Sequence, residues 1–93
     1  MANSGQTTVT TAGTEVVMAA DQPCYWVLYK GKTANTGLMF VGNGGANTVS
    51  STTGFQLAAG DVGYYDWEGK LGNLNQLYVD SAVSGEGISW ICG

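Results

Sequence analysis

Cys24-Tyr25-Trp26-Val27-Leu28-Tyr29-Lys30 is the stretch on which the fold turns. Aromatic and β-branched side chains crowd it, and turn formers bound it, with Asp21-Gln22-Pro23 before and Gly31 after. Such runs read as strands, because flat and branched side chains pack well on a pleated surface. The single proline fixes its own φ and pushes Gln22 into an extended conformation, which places a turn ahead of the strand.

Working outward, the same signature recurs at residues 15–18, 38–41, 48–51, 55–57, 62–67, 77–80 and 87–92. The Asn43-Gly44 step predicts a tight turn, since both residue types tolerate positive φ, and so a hairpin joining 38–41 to a return strand at 48–51. No window carries a sustained 3.6-residue apolar period, so no helix longer than one turn is expected. Seven to eight short antiparallel strands, spaced by about 8–12 residues, predict an all-β chain built as a compact β-sandwich or jelly-roll-like barrel. Residues 1–13 are polar and Thr-rich and read as a flexible N-terminal arm, with an edge strand over 7–11. Residues 14–93 read as a single β-domain.

Composition narrows the function classes. The 93 residues include 15 Gly but no His, and the only cations are Lys30, Lys32 and Lys70. A net charge of −4 argues against nucleic acid, because neutralising phosphates takes clustered Lys or Arg. It argues against an anionic membrane surface for the same reason. No apolar run approaches the roughly 20 residues of a membrane span. The opening residues lack the basic and apolar regions of a signal peptide, which predicts synthesis in a cytoplasm. Cys24 and Cys92 read as two small buried thiols, although a bridge between them would close a long loop. Two thiols without His are too few ligands for zinc.

Tests for chemistry come out negative. Asp66 and Glu68 share a strand face, but surface acids at a strand end are far commoner than a glycosidase pair. Asp61, Asp66, Asp80 and Glu86 lack the dense spacing of a calcium loop. Gly42-Asn43-Gly44-Gly45 is followed by no Lys-Ser/Thr and no helix, so it is no phosphate cradle. Ser and Thr abound, yet the common general base is missing. The expectation is a protein that is not an enzyme, with no cofactor and no metal.

Surplus apolar surface points to binding instead. Charged residues make up 11% of the chain, against about 25% in average soluble domains. In 24–30, Cys24, Trp26 and Leu28 alternate with Tyr25, Val27 and Tyr29, so both faces are apolar, and 38–41 behaves alike. A strand in a two-sheet domain needs one buried face, so the second suggests contact between copies, where Tyr and Trp are favoured. The candidate interface residues are Tyr25, Tyr29, Met39, Tyr64, Tyr65 and Trp67. The competing reading is that amphipathic tyrosines sit half-exposed. A second function class, a carbohydrate- or receptor-binding module of a tail or fibre, would use Tyr64, Tyr65 and Trp67 as stacking platforms.

Ala34-Asn-Thr-Gly-Leu-Met-Phe-Val-Gly42, Val49-Ser-Ser-Thr-Thr-Gly-Phe-Gln-Leu-Ala-Ala-Gly-Asp61, Asn73-Leu-Asn-Gln-Leu-Tyr-Val-Asp80 and Gly85-Glu-Gly-Ile-Ser-Trp90 carry a resemblance. With Gly13-Thr14 and Pro23-Cys24 upstream, these segments resemble a group of small virion proteins of tailed bacteriophages, over roughly residues 13–92. The resemblance implies a capsid decoration, or cement, protein: β-rich, commonly trimeric, and seated on the outside of the head. It implies the major capsid protein and further copies of the chain as partners, and the capsid surface as the location after synthesis in the host cytoplasm. Thr7, Thr8, Val9, Thr10 and Thr11 are the candidate capsid-contacting arm. The loop 68–72 and the terminal Cys92-Gly93 attach to no shared role.

Overall fold

The computed structural model describes residues 2–45 and 48–93. The chain is all-β, with ten short strands among the described residues, paired in antiparallel ladders. The first sheet has the order β1-β10-β4-β7, formed by Asn3–Thr8, Gly87–Cys92, Trp26–Gly31 and Val62–Asp66. The second has the order β2-β9-β5-β6, from Val16–Val17, Tyr78–Ser81, Met39–Gly42 and Phe55–Leu57. A two-stranded ladder of β3 (Pro23–Cys24) and β8 (Gly72–Asn73) leads into a 3-10 turn, Leu74–Gln76. That turn is closed by a capping box: Asn73 accepts from the turn's backbone while Gln76 reaches back to the Asn73 N–H. The radius of gyration is 11.9 Å, close to the roughly 12 Å expected of a folded chain of this length.

Both sheets feed one core. Val27 and Tyr29 of β4, Ile88 and Cys92 of β10, Val79 of β9, Met39 and Val41 of β5, and Leu57 of β6 are all buried in it. Met18, Leu74 and Leu77 fill it from the connections. The strand over 24–30 breaks in two at Tyr25, where the chain bends between β3 and β4. The break resets the alternation, so Cys24 is buried although Trp26 and Leu28 point outward. Tyr25 stays exposed while its backbone is held at both ends: its N–H donates to the Gly93 carbonyl and its carbonyl accepts from the Trp67 N–H.

Residues 3–8, expected in a flexible arm, are instead a full strand, paired residue by residue from Asn3↔Cys92 to Thr8↔Gly87. The reason lies in β10, whose inward side chains need a cover. Gly5 faces Trp90 so closely that a Cβ there would sit 2.6 Å from the indole. Thr7 is buried, donates to the Met18 carbonyl at 2.6 Å and accepts from Trp90 Nε1 at 3.2 Å. A Thr with both roles filled costs the core little. Val9, just past the strand, is fully buried, and its N–H donates to the Glu86 carbonyl. Edge strand β1 thus keeps its outward face polar with Ser4, Gln6 and Thr8, which suits an exposed sheet edge.

The hairpin expected after Asn43-Gly44 also differs. Part of its connection, residues 46 and 47, lies outside the described residues. Residues 48–51 form no strand, and β5 pairs with β6 and β9 instead. The Glu15 carboxylate explains this: it accepts from the N–H of Gly45 at 2.6 Å and of Val49 at 2.7 Å, groups a ladder would have used. Beyond it, the hydroxyls of Ser50, Thr52 and Thr53 knit a compact turn among themselves.

Candidate functional site

Two surfaces stand out, one on each side of the first sheet. On its outer side the antiparallel registers bring Ser4, Ile91, Leu28 and Tyr64 into one row across all four strands. Residues directly opposite lie about 4.5–5.5 Å apart at Cβ, so this is a continuous stripe. Leu28 is 39% exposed, Ile91 41%, Val62 54% and Tyr64 57%. Trp26 extends the stripe, stacked on Tyr64 with ring centroids 6.4 Å apart and planes at 23°. Lys30 opposite Val62 and Asp66 opposite Trp26 flank it with one charge of each sign.

The second sheet presents no such face. Phe40 and Asp80, paired across β5 and β9 and turned away from the core, are both buried. Phe40 is covered by Gly54, whose Cβ would lie 2.6 Å from the Phe40 Cβ. Asp80 Oδ1 accepts from the N–H of Gly13 at 3.0 Å and of Ser81 at 2.8 Å. Of the doubly apolar stretch at 38–41, Met39, Phe40 and Val41 are therefore buried on both sides, while Leu38 stays exposed.

On the inner side a cleft of about 630 Å3 opens, lined by Tyr29, Tyr65, Trp67 and Tyr78, by Asn43, Asn75 and Gln76, and by the backbone of 41–44. Trp67 lies flat on Gly72, where a Cβ would come within 2.2 Å of the indole. Tyr65 meets it edge-on, 5.0 Å between centroids at 87°, a favoured aromatic geometry. Trp67 Nε1 donates to Gln76 Oε1 at 2.8 Å. Gln76 is itself placed by the capping box of the 3-10 turn, and Asn73 is held by Asp21 Oδ1 at 2.9 Å. The Tyr29 ring is packed in the core and the residue is only 6% exposed, while its hydroxyl opens to the cleft and makes no hydrogen bond among the described residues. Burial pushes its phenol above the ordinary tyrosine value.

The six candidate interface residues therefore separate. Tyr64 lies on the outer stripe, Tyr65 and Trp67 line the cleft, and Tyr25 is exposed at the strand break. Met39 is fully buried, and the Tyr29 ring nearly so, because their strands turn these side chains into the core; neither lies on a surface that a second copy could cover. Of the arm residues, Thr7 and Val9 are buried for the reasons above, while Thr8, Thr10 and Thr11 are exposed. The trio Tyr64, Tyr65 and Trp67 cannot form one stacking platform, since Tyr64 points to the opposite side of the sheet. Leu28, Val62 and Ile91 on the stripe, and Asn43, Asn75, Gln76 and Tyr78 in the cleft, were not singled out by sequence. The strand pairing that aligns them leaves no local mark.

Among the described residues no three or more His, Cys, Asp or Glu side chains gather where they could hold a metal ion. None of the helical turns among them is long and apolar enough to cross a membrane. Comparison with protein-family models, with curated proteins and with solved structures finds no match to this chain.

Proposed function

We propose that this chain is a structural protein of a phage virion, a capsid decoration or cement protein. It binds the major capsid protein on the outer head surface as a homo-oligomer, a trimer by the resemblance. Two four-stranded sheets around one core are, in this reading, a β-sandwich related to the jelly rolls. The observation that carries the proposal is the Ile91–Leu28–Tyr64 row, an apolar stripe that the fold itself leaves uncovered. A second copy of the chain covers it, with Lys30 and Asp66 as a polar rim. Exposed Thr8, Thr10 and Thr11, beside the edge strand, supply polar contacts to the shell.

Decoration needs binding energy and no catalytic group. A protein that binds only the assembled shell stabilises it by mass action, and an oligomer multiplies that through linked contacts. The deciding experiment mixes purified protein with undecorated heads. Co-sedimentation with the shell and a gain in its heat resistance are expected, and a monomer that ignores the heads ends the proposal.

A further inference from the structure

We propose that the cleft on the inner side of the first sheet is a binding site for a neutral saccharide, separate from the apolar stripe. Several features of the cleft combine. Its volume of about 630 Å3 lies within the range of about 300–1,000 Å3 typical of small-molecule sites. Its lining carries no charged side chain, so nothing in it selects a phosphate, a carboxylate or an ammonium group. Aromatic rings and amides share the lining, which matches a ligand with apolar C–H faces and hydroxyl edges.

The aromatic part is held in advance. Trp67 is pressed on Gly72 on one side, braced by Tyr65 edge-on, and pinned through Nε1 to Gln76. A ring fixed this way loses little freedom when a sugar ring lies against it, and its electron-rich face attracts polarised C–H groups.

The polar part is left open. The side-chain amides of Asn43 and Asn75 make no hydrogen bond among the described residues, and the Gln76 amide nitrogen makes none either, although its oxygen is engaged. Each amide offers donors and an acceptor, the pairing that a hydroxyl, itself both, can use. The Tyr29 phenol adds to these open groups. Its ring is packed in the core while its hydroxyl, which opens to the cleft rather than being buried, makes no hydrogen bond among the described residues and is free to pair with a bound hydroxyl.

The test titrates the intact protein with neutral oligosaccharides, and with sialylated ones in parallel, while following backbone amide resonances. Shifts confined to residues 41–44, 65–67 and 75–78 on adding a neutral sugar are expected. Asn75→Ala and Tyr29→Phe should each weaken binding about tenfold. Both leave Trp67 on Gly72, so they keep the test informative if Trp67→Ala fails to fold. Leu28→Ser, on the stripe, should leave sugar affinity unchanged. A folded protein that shifts with no neutral sugar overturns the proposal, as do shifts with sialylated sugars alone or full affinity in the Asn75→Ala, Tyr29→Phe double variant. Failure here leaves head binding untouched, because the stripe and the cleft lie on opposite sides of the sheet.

Discussion

Gly63→Ala tests how tightly the first sheet is packed. Gly63 of β7 lies opposite Tyr29 of β4, and a Cβ added there would stand 2.3 Å from Tyr29 Cε1, 2.7 Å from Cζ and 3.0 Å from the hydroxyl oxygen. Its φ is not in the left-handed region, so the backbone accepts alanine without strain. Two effects then oppose each other. Alanine restricts the unfolded chain and stabilises by about 0.4–1 kcal/mol. The methyl displaces the buried ring, and overpacking of this kind costs about 1–3 kcal/mol. Steric cost wins, with a net loss of about 1–2 kcal/mol. At about 4–8 °C per kcal/mol for a domain of this size, the melting temperature falls by about 4–16 °C. Urea and thermal unfolding measure both quantities. In a double-mutant cycle with Tyr29→Leu, which removes the far end of the ring, the cost of Gly63→Ala should vanish or change sign. A Gly63→Ala protein as stable as the parent, or more so, would refute the packing argument, because only the entropic effect would then remain.

Leu28→Asp combined with Tyr64→Ser should lower the mass measured by sedimentation equilibrium to that of one chain. Both side chains are exposed in the isolated fold, so the unfolding free energy of the isolated chain should change by no more than about 0.5 kcal/mol. Glu86 accepts from the Thr36 N–H at 2.6 Å and hydroxyl at 2.8 Å and from the Gly37 N–H at 2.9 Å, and these bonds, Thr36's first, hold its carboxyl below the usual range. The stabilisation is therefore present above the ordinary carboxylate pKa and lost as pH falls through the lowered one. The protection factor of the Gly37 amide, corrected for intrinsic exchange, should fall on acidification in the parent and stay constant in Glu86→Gln. Burial first, and then the neighbouring Cys92 thiol, push the Cys24 thiol from 9.0 up to about 11. Neither cysteine should react with a thiol reagent at pH 8 until the chain unfolds. The Cys24 contribution to stability should stay level below pH 9 and decline between 9 and about 11, where the unfolded thiol ionises and the native one does not.

Which segments are strands was readable wherever aromatic and branched residues crowd together, as in β4, β5, β7, β9 and β10. Which faces stay open was not, because that depends on partners distant in sequence. Leu28 and Phe40 look alike in their runs, yet one is left bare while the other is sealed by the turn at Gly54 and the bonds to Asp80. The polar run at 3–8 concealed a strand, since what recruits it is the Trp90 indole needing a floor at Gly5. The missing return strand at 48–51 follows from Glu15, whose carboxylate reaches amides 30 and 34 residues ahead. Adjacent Tyr64 and Tyr65 were visible as a cluster, and alternation alone places them on opposite faces. The two-residue ladder of β3 and β8 is too short for any pattern to announce. Asn75 and Gln76 gave no sign of a cleft, because an amide in a loop is ordinary until the sheet opposite is in place.

The ladder between β1 and β10 has a consequence for how the chain is made. Residues 3–8 leave the ribosome long before 87–92 exist, and at about 5–20 residues per second the wait for the intervening stretch lasts about 4–16 s. During that interval the leading segment has nothing to zip against, so the first sheet closes only once translation has delivered its second strand. Pairings of such wide separation close slowly, in about milliseconds to seconds. Maturation of this molecule is thus a late event, gated by synthesis.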